Sequence, residues 1–318
     1  MLLGVGMEAT ARPAPFNLQP KPSKRAMTTP TSENPYLNQP YETPVTSWLQ
    51  SLASGVAFAF LLGQKNKSTG KPTLSSFLLG ASAAHLLPRL RLWYATHQRR
   101  TQLTVMANKK RQARDTRRDA MRSSILMSDL QAEGAICRLM AHELLEKMRN
   151  KSLTCEEVVR AFCSRALRLG EITGAVTDEL YEEAIQRAIE VDAIRNQPHH
   201  DVNTEPPLLG LPFSTKDQIN IKGYDSTAGA QVRVFAPANE DAVVVALLRE
   251  AGAIPFVKTN VPQSLMITES YNKIFGRARN PWNLDRTPGG SSGGEGAILG
   301  MDASPLGIGT DIGGSIRT

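Results

Sequence analysis

Two glycine-serine blocks decide how this chain reads: Pro288–Gly289–Gly290–Ser291–Ser292–Gly293–Gly294–Glu295–Gly296–Ala297, and Gly307–Ile308–Gly309–Thr310–Asp311–Ile312–Gly313–Gly314–Ser315–Ile316–Arg317. Such glycine density lets the backbone take positive φ and brings bare N–H groups close to a ligand. Three readings follow from that property: a flexible turn, a phosphate cradle or an oxyanion hole. The first block lacks the Gly-Lys-Ser/Thr ending that gives a phosphate loop its lysine and its metal-binding hydroxyl. It also lacks Gly-x-Ser-x-Gly, so the sharp strand-to-helix nucleophile turn of an α/β-hydrolase is not indicated.

Upstream, Leu208–Thr215 is an apolar run that ends on Lys216, as a buried strand would. Ala242–Leu248 reads as an apolar helix with Glu240 and Asp241 in its first turn, where the helix dipole favours them. Ala253–Thr259 is the next strand. Strand, helix and strand in alternation predict an α/β fold with parallel pairing. Further upstream, Ile136, Leu139, Met140, Leu144, Leu145 and Met148 recur at helical spacing. Thr154-Cys155-Glu156-Glu157 is a capping box that opens a new helix, with Val158, Val159, Phe162 and Leu167 on its buried face. Another helix is expected over about 178–196, followed by a polar loop to Pro207.

The 318 residues are 41% hydrophobic and 21% charged, which suits a globular protein with a proper core. Cys137, Cys155 and Cys163 have no disulfide or metal spacing and read as reduced thiols. The net charge of +7 is concentrated between Arg89 and Arg122, where eleven Lys/Arg stand against two Asp. No aromatic interleaving supports a nucleic-acid surface. Two apolar runs precede this segment: Thr43–Gln64, uncharged and near the roughly 20 residues that span a bilayer, and Pro72–Pro88, shorter and interrupted by His85. Their position, with Trp93 and Tyr94 at an interface, points to a membrane and to a basic cytoplasmic flank. A soluble helical hairpin is the competing reading. The expected organisation is a disordered leader over 1–46, a membrane-associated segment over 47–95, a basic linker helix over 96–129 and a globular unit over 130–318.

The five histidines, at 85, 97, 142, 199 and 200, sit in the apolar region, in a helix or in the polar loop. A serine nucleophile without a placed histidine needs another base. Lysine serves if burial lowers its pKa from about 10.4 by several units. Lys216, at the end of an apolar run, is placed for that, although a lone lysine there more often snorkels to the surface.

Together with Lys216-Asp217, the two glycine-serine blocks resemble the amidase signature family over about residues 130–318. Thr259-Asn260-Val261-Pro262-Gln263-Ser264, Gly293-Gly294-Glu295-Gly296-Ala297 and Ser304-Pro305-Leu306-Gly307 resemble its fatty acid amide hydrolase-like branch. The resemblance implies a mixed sheet covered by helices on both faces. It implies a Ser-Ser-Lys triad with Ser315 as nucleophile, Ser291 as relay after a cis Gly290–Ser291 bond, and Lys216 as base. It assigns the N–H groups of Ile312, Gly313, Gly314 and Ser315 to the oxyanion hole, an interaction worth about 3–4 kcal/mol per donor. Leu265 falls where the branch lines its substrate site. Ser292 would brace the loop, and Asp311 and Arg317 would pair across it. The implied reaction is amide hydrolysis through an acyl-enzyme, without cofactor or metal.

The expected partners are a lipid amide substrate, an endomembrane facing the cytoplasm and a second copy of the chain, with no nucleic acid. The family domain extends well past Thr318, so only its N-terminal part is expected here. Two rivals remain: a non-catalytic membrane-associated amidase-like protein, and a soluble amidase such as an amidotransferase subunit. Labelling by a fluorophosphonate separates the first from an enzyme, and carbonate extraction separates the second.

Overall fold

The computed structural model describes residues 74–318. At its centre is strand β2 (Pro212–Lys216), buried at every position. It lies parallel to β3 (Ile254–Thr259) on one side and to β6 (Gly307–Ile308) on the other. Strand β1 (Val176–Glu179) runs antiparallel along the far edge of β3, so the sheet is mixed and ordered β1-β3-β2-β6. A parallel β2–β3 pair needs a crossover. Helix α6 (Val243–Glu250) lies on it. A small hairpin, β4 (Tyr271–Asn272) and β5 (Gly276–Arg277), stands apart from this sheet.

Two apolar clusters line the sheet. The larger joins Ile254, Phe256 and Val257 of β3 to α4 (Cys155–Thr173), α5 (Tyr181–Arg195) and α7 (Gly293–Gly300). The smaller gathers Phe213 of β2, Ile219, Ile221, Leu180 and Val245 of α6. The capping box at Thr154 is formed as expected. The Thr154 hydroxyl accepts from the Glu157 N–H at 3.1 Å, and the Glu157 carboxylate accepts from the Thr154 N–H at 2.8 Å. The stretch from Leu130 to Arg149 holds two helices rather than one, α2 (Leu130–Cys137) and α3 (Ala141–Arg149). Met140 between them is extended, and its N–H is taken by the Glu143 side chain at 2.6 Å. The helix expected over 178–196 begins only at Tyr181, because Val176–Glu179 is a strand. Asp178 and Glu179 are acidic residues buried in that strand, and nothing in their local sequence marks them as strand-forming.

What accepts those buried acids is the basic run. Residues 74–125 form one long helix, α1 (Leu74–Ile125), whose second half docks on the body instead of standing in solvent. Lys110 bridges Asp178 at 2.8 Å and Asp225 at 3.0 Å, and Arg117 also pairs with Asp178. Arg118 and Arg122 reach Glu171. The Arg111 guanidinium donates to the carbonyls of Ile274 and Lys273, and Arg114 lies over the Phe275 ring. Ala107, Met121 and Ile125 are buried beneath. Six of the eleven cations of this run are therefore engaged within the molecule, while Arg89, Arg91, Arg99, Arg100 and Lys109 are exposed. Most of the second apolar run is the start of α1. No described helix is long and apolar enough to cross a membrane. The leader over 1–46 and the run Thr43–Gln64 lie outside the described residues.

Candidate active site

Lys216 ends the central strand, in register with Thr259 of β3, and is fully buried. Its amine meets three oxygens: Ser291 Oγ at 2.8 Å, Thr310 Oγ1 at 3.0 Å and the Thr310 carbonyl at 3.3 Å. This set satisfies either protonation state. An ammonium donates to all three, whereas a neutral amine donates twice to Thr310 and accepts the Ser291 hydroxyl proton on its lone pair. Only the Ser291 hydroxyl reverses its role between the two. Burial pushes the Lys216 pKa down to about 8, against the pull of the negative charges on Asp311 and then Glu295.

Ser291 is buried and follows a cis Gly290–Ser291 bond, as the family resemblance implied. The turn is built by close backbone approach. A Cβ on Gly290 would lie 2.2 Å from the Glu269 carbonyl oxygen. The Ser270 hydroxyl ties the same turn down, donating to the Gly289 carbonyl at 3.1 Å and accepting from the Gly293 N–H at 3.0 Å. Ser292 stitches the two glycine-serine blocks together. Its hydroxyl donates to the Thr310 carbonyl at 3.1 Å, and its N–H donates to the Ser315 carbonyl at 3.0 Å.

Gly294, the next glycine, faces the backbone of Asn260 and donates to its carbonyl at 3.0 Å. A Cβ there would sit 2.2 Å from the Asn260 nitrogen and 2.9 Å from the Ala175 carbonyl oxygen, atoms that no rotamer change can move. Gly294→Ala is expected to destabilise the fold by about 3 kcal/mol, as overpacking against fixed backbone does. A fall in the urea midpoint at unchanged slope checks this.

The second block forms an exposed loop folded around Asp311. The Asp311 carboxylate accepts from the Gly314 N–H at 2.6 Å, the Ile316 N–H at 3.2 Å and the Arg317 side chain at 2.9 Å. These bonds, that to Arg317 first, hold its pKa well below the usual carboxylate range. Of the four N–H groups expected to form the oxyanion hole, that of Gly314 is thus occupied by Asp311. Those of Ile312, Gly313 and Ser315 have no hydrogen-bond partner among the described residues. The Ile312 side chain is wholly exposed.

Ser315 is half-buried. Its backbone is tied to Ser292, but no hydrogen bond joins its hydroxyl to Ser291. The structure therefore brings Lys216 and Ser291 into contact and sets Ser315 in the adjoining loop. Leu265 is half-buried in the loop after β3, where Ser264 and Leu265 both take left-handed φ, at 65° and 63°. That loop runs on to Glu269 and Ser270 against the cis turn.

The sequence assigns no role to three further participants, Thr310, Asp217 and Lys258. Thr310 supplies two of the three oxygens around the Lys216 amine, and Gln218 donates to its hydroxyl at 2.7 Å. Asp217 points to the other side of β2, where it accepts from Thr227 Oγ1 at 2.8 Å and the Ala228 N–H at 2.7 Å. Lys258 donates to the carbonyls of Ile219 and Asp225 and to the Ser226 hydroxyl, all within 3.0 Å. Asp217 and Lys258 thus fasten the loop that leaves Lys216. The pairing of Asp217 with Lys216 in one motif hinted at the first. Nothing local hinted at the second.

The chain is similar to known proteins. Residues 157–318 match the amidase family. Fatty acid amide hydrolase 1 of Caenorhabditis elegans is 38% identical over 215 residues, which is 68% of this chain and 37% of the relative. Acetamidase of Emericella nidulans is 40% identical over 205 residues, 64% of this chain and 36% of the relative. Among solved structures, a fatty acid amide hydrolase superposes with a TM-score of 0.56 at 34% identity, covering 66% of this chain and 36% of that one. The chain thus spans little more than a third of the length of these relatives. The match over half its length means that this chain belongs to the amidase family.

Proposed function

We propose that the chain carries the catalytic core of an amide hydrolase, with Ser315 as nucleophile, Ser291 as proton relay and Lys216 as base. The observation that carries this reading is the fully buried Lys216 amine, 2.8 Å from Ser291 Oγ, with its pKa pushed down to about 8. A base poised near the working pH is what proton transfer requires. As Ser315 Oγ bonds to the amide carbon, its proton passes to Ser291 and the Ser291 proton passes to Lys216. The carbonyl oxygen gains a negative charge, for which the N–H groups of Ile312, Gly313 and Ser315 are donors. The C–N bond then breaks as the relay returns a proton to the leaving nitrogen. Water attacks the acyl-enzyme, giving up one proton to the relay, and the carboxylic acid leaves as Ser315 regains its own.

Lipid amides, such as primary fatty acid amides and N-acylethanolamines, are the proposed substrate class. The fatty acid amide hydrolase relatives support it, and so do Met266 and Ile267, exposed apolar side chains next to Leu265. Acetamidase is equally similar and favours a second reading, short primary amides. Turnover of a long-chain fatty acid amide against acetamide decides between them. A kcat/KM ratio in favour of acetamide overturns the lipid reading. Thr43–Gln64 is proposed to attach the protein to an endomembrane. The protein is then expected to stay in the pellet on alkaline carbonate extraction, and its release into the supernatant would sink that idea.

A further inference from the structure

Glu295 is 3% exposed, and no cation among the described residues forms an ion pair with it. Its two oxygens accept only from hydroxyls: Ser214 Oγ at 2.7 Å and Thr259 Oγ1 at 2.8 Å. Both donors belong to the setting of Lys216. Ser214 lies two residues before Lys216 on β2, and so on the same face of that strand. Thr259 is the residue of β3 in register with Lys216. Glu295 itself stands in the first turn of α7, four residues after Ser291. On β6, Gly307 is pressed so close that a Cβ there would lie 2.4 Å from the carboxyl.

A cross-link between two hydroxyls does not need an ionisable group. A glutamine offers an acceptor and a donor to the same partners and avoids the cost of burying a charge. The feature that sets a carboxyl apart at this place is its charge, and the cation on which that charge acts is the Lys216 ammonium. We propose that Glu295 is a positioning residue for Lys216: its buried carboxylate fixes the strand face that presents the lysine and supplies the counter-charge for the ammonium that forms when Ser291 delivers its proton. The proposal rests on the reading of Lys216 as base.

The charged surroundings are few. From the 309–317 loop Asp311 acts on Lys216, and from α7 Glu295 does. From β2 Lys216 acts on Glu295, while β3 and β6 present it with only Thr259 and Gly307. Asp217 and Lys258 bond on the opposite side of their strands, into the 219–228 loop. In support of the geometry, burial lifts the Glu295 carboxyl to about 7, with the Ser214 and Thr259 hydrogen bonds and the Lys216 charge opposing it.

The test uses the full chain with 15N-labelled lysine, following the Lys216 ζ-nitrogen by NMR over a pH series, with Lys216→Met to assign the signal. In Glu295→Gln the Lys216 midpoint is expected about one pH unit lower than in the unmodified protein, since removing a buried negative charge disfavours the ammonium. Ser214→Ala and Thr259→Val each remove one donor, so the carboxyl holds its proton more tightly and the Lys216 midpoint moves the same way by less. These two variants decide the matter if Glu295→Gln does not fold. Coincident midpoints in the folded variants overturn the proposal, because a purely structural cross-link would leave the titration unmoved. Fluorophosphonate labelling of the same samples reads the catalytic assignment separately. Absence of Ser315 labelling in the unmodified protein counts against that assignment, whereas labelling that occurs without any shift of the Lys216 midpoint counts against Glu295 alone.

Discussion

Ser315→Ala is expected to abolish fluorophosphonate labelling and to lower amide hydrolysis by at least about a thousandfold, with the fold intact. The residue is half-buried in an exposed loop, and its side chain makes no hydrogen bond that the fold would lose. Its backbone carbonyl, which accepts from Ser292, is unchanged by the substitution. Loss of the nucleophile removes the acyl-enzyme itself, so no relay through Ser291 can compensate. Intact-protein mass spectrometry after labelling is the direct check. Full labelling of Ser315→Ala, or labelling that maps to another serine, would end the assignment of Ser315.

Lys216→Met is expected to lower turnover by about 10²–10⁴-fold and to remove the acid limb of the pH profile. The sign follows from the chemistry. The base works when neutral, and the neutral fraction grows as pH rises through about 8. In the unmodified protein kcat/KM therefore rises close to tenfold per pH unit below that value and levels above it. In Lys216→Met the residual rate carries no such limb. Because Lys216 sits in the core, the variant must first be shown to unfold cooperatively. Methionine fills a similar volume without a charge, so the substitution itself favours folding. An unchanged limb in Lys216→Met would falsify the lysine as the titrating base.

Much of the site was legible because its demands are local. Gly289 and Gly290 are needed where backbone approaches backbone, whereas a Cβ on Gly313 would meet nothing within 4 Å and Gly314 is marked by its φ of 122°. Lys216 ends an apolar run that reads as a strand; a lone lysine there more often snorkels, and the packed structure shows this one buried. The same logic found β2, β3 and the helix opened by Thr154. It failed at β1, where Asp178 and Glu179 look like the acidic start of a helix. Their strand exists because β3 pairs with it and Lys110 and Arg117, more than sixty residues away, face the charge.

The basic run was legible only in its first half. Its eleven cations suggest a solvated or membrane-facing surface, since sequence shows charges without their partners, and Arg89, Arg91, Arg99, Arg100 and Lys109 are indeed exposed. Packed, the helix lays Lys110, Arg117 and Arg118 against acids of the sheet edge. The same limit hid Thr310 beside Lys216 and the capture of the Gly314 N–H by Asp311.

By itself the sequence determined the α/β class, and its glycine-serine blocks with Lys216 carried the family resemblance that implies a nucleophile, relay and base. The fold class and each motif depend on residue types at short spacing, which constrain the backbone directly. Only the tertiary structure decided which charges meet, which N–H groups stay open and that the carboxyl of Glu295 lies buried behind Lys216. Those outcomes depend on strands and helices far apart in the chain being packed within hydrogen-bond distance, where desolvation sets the strength of every charge.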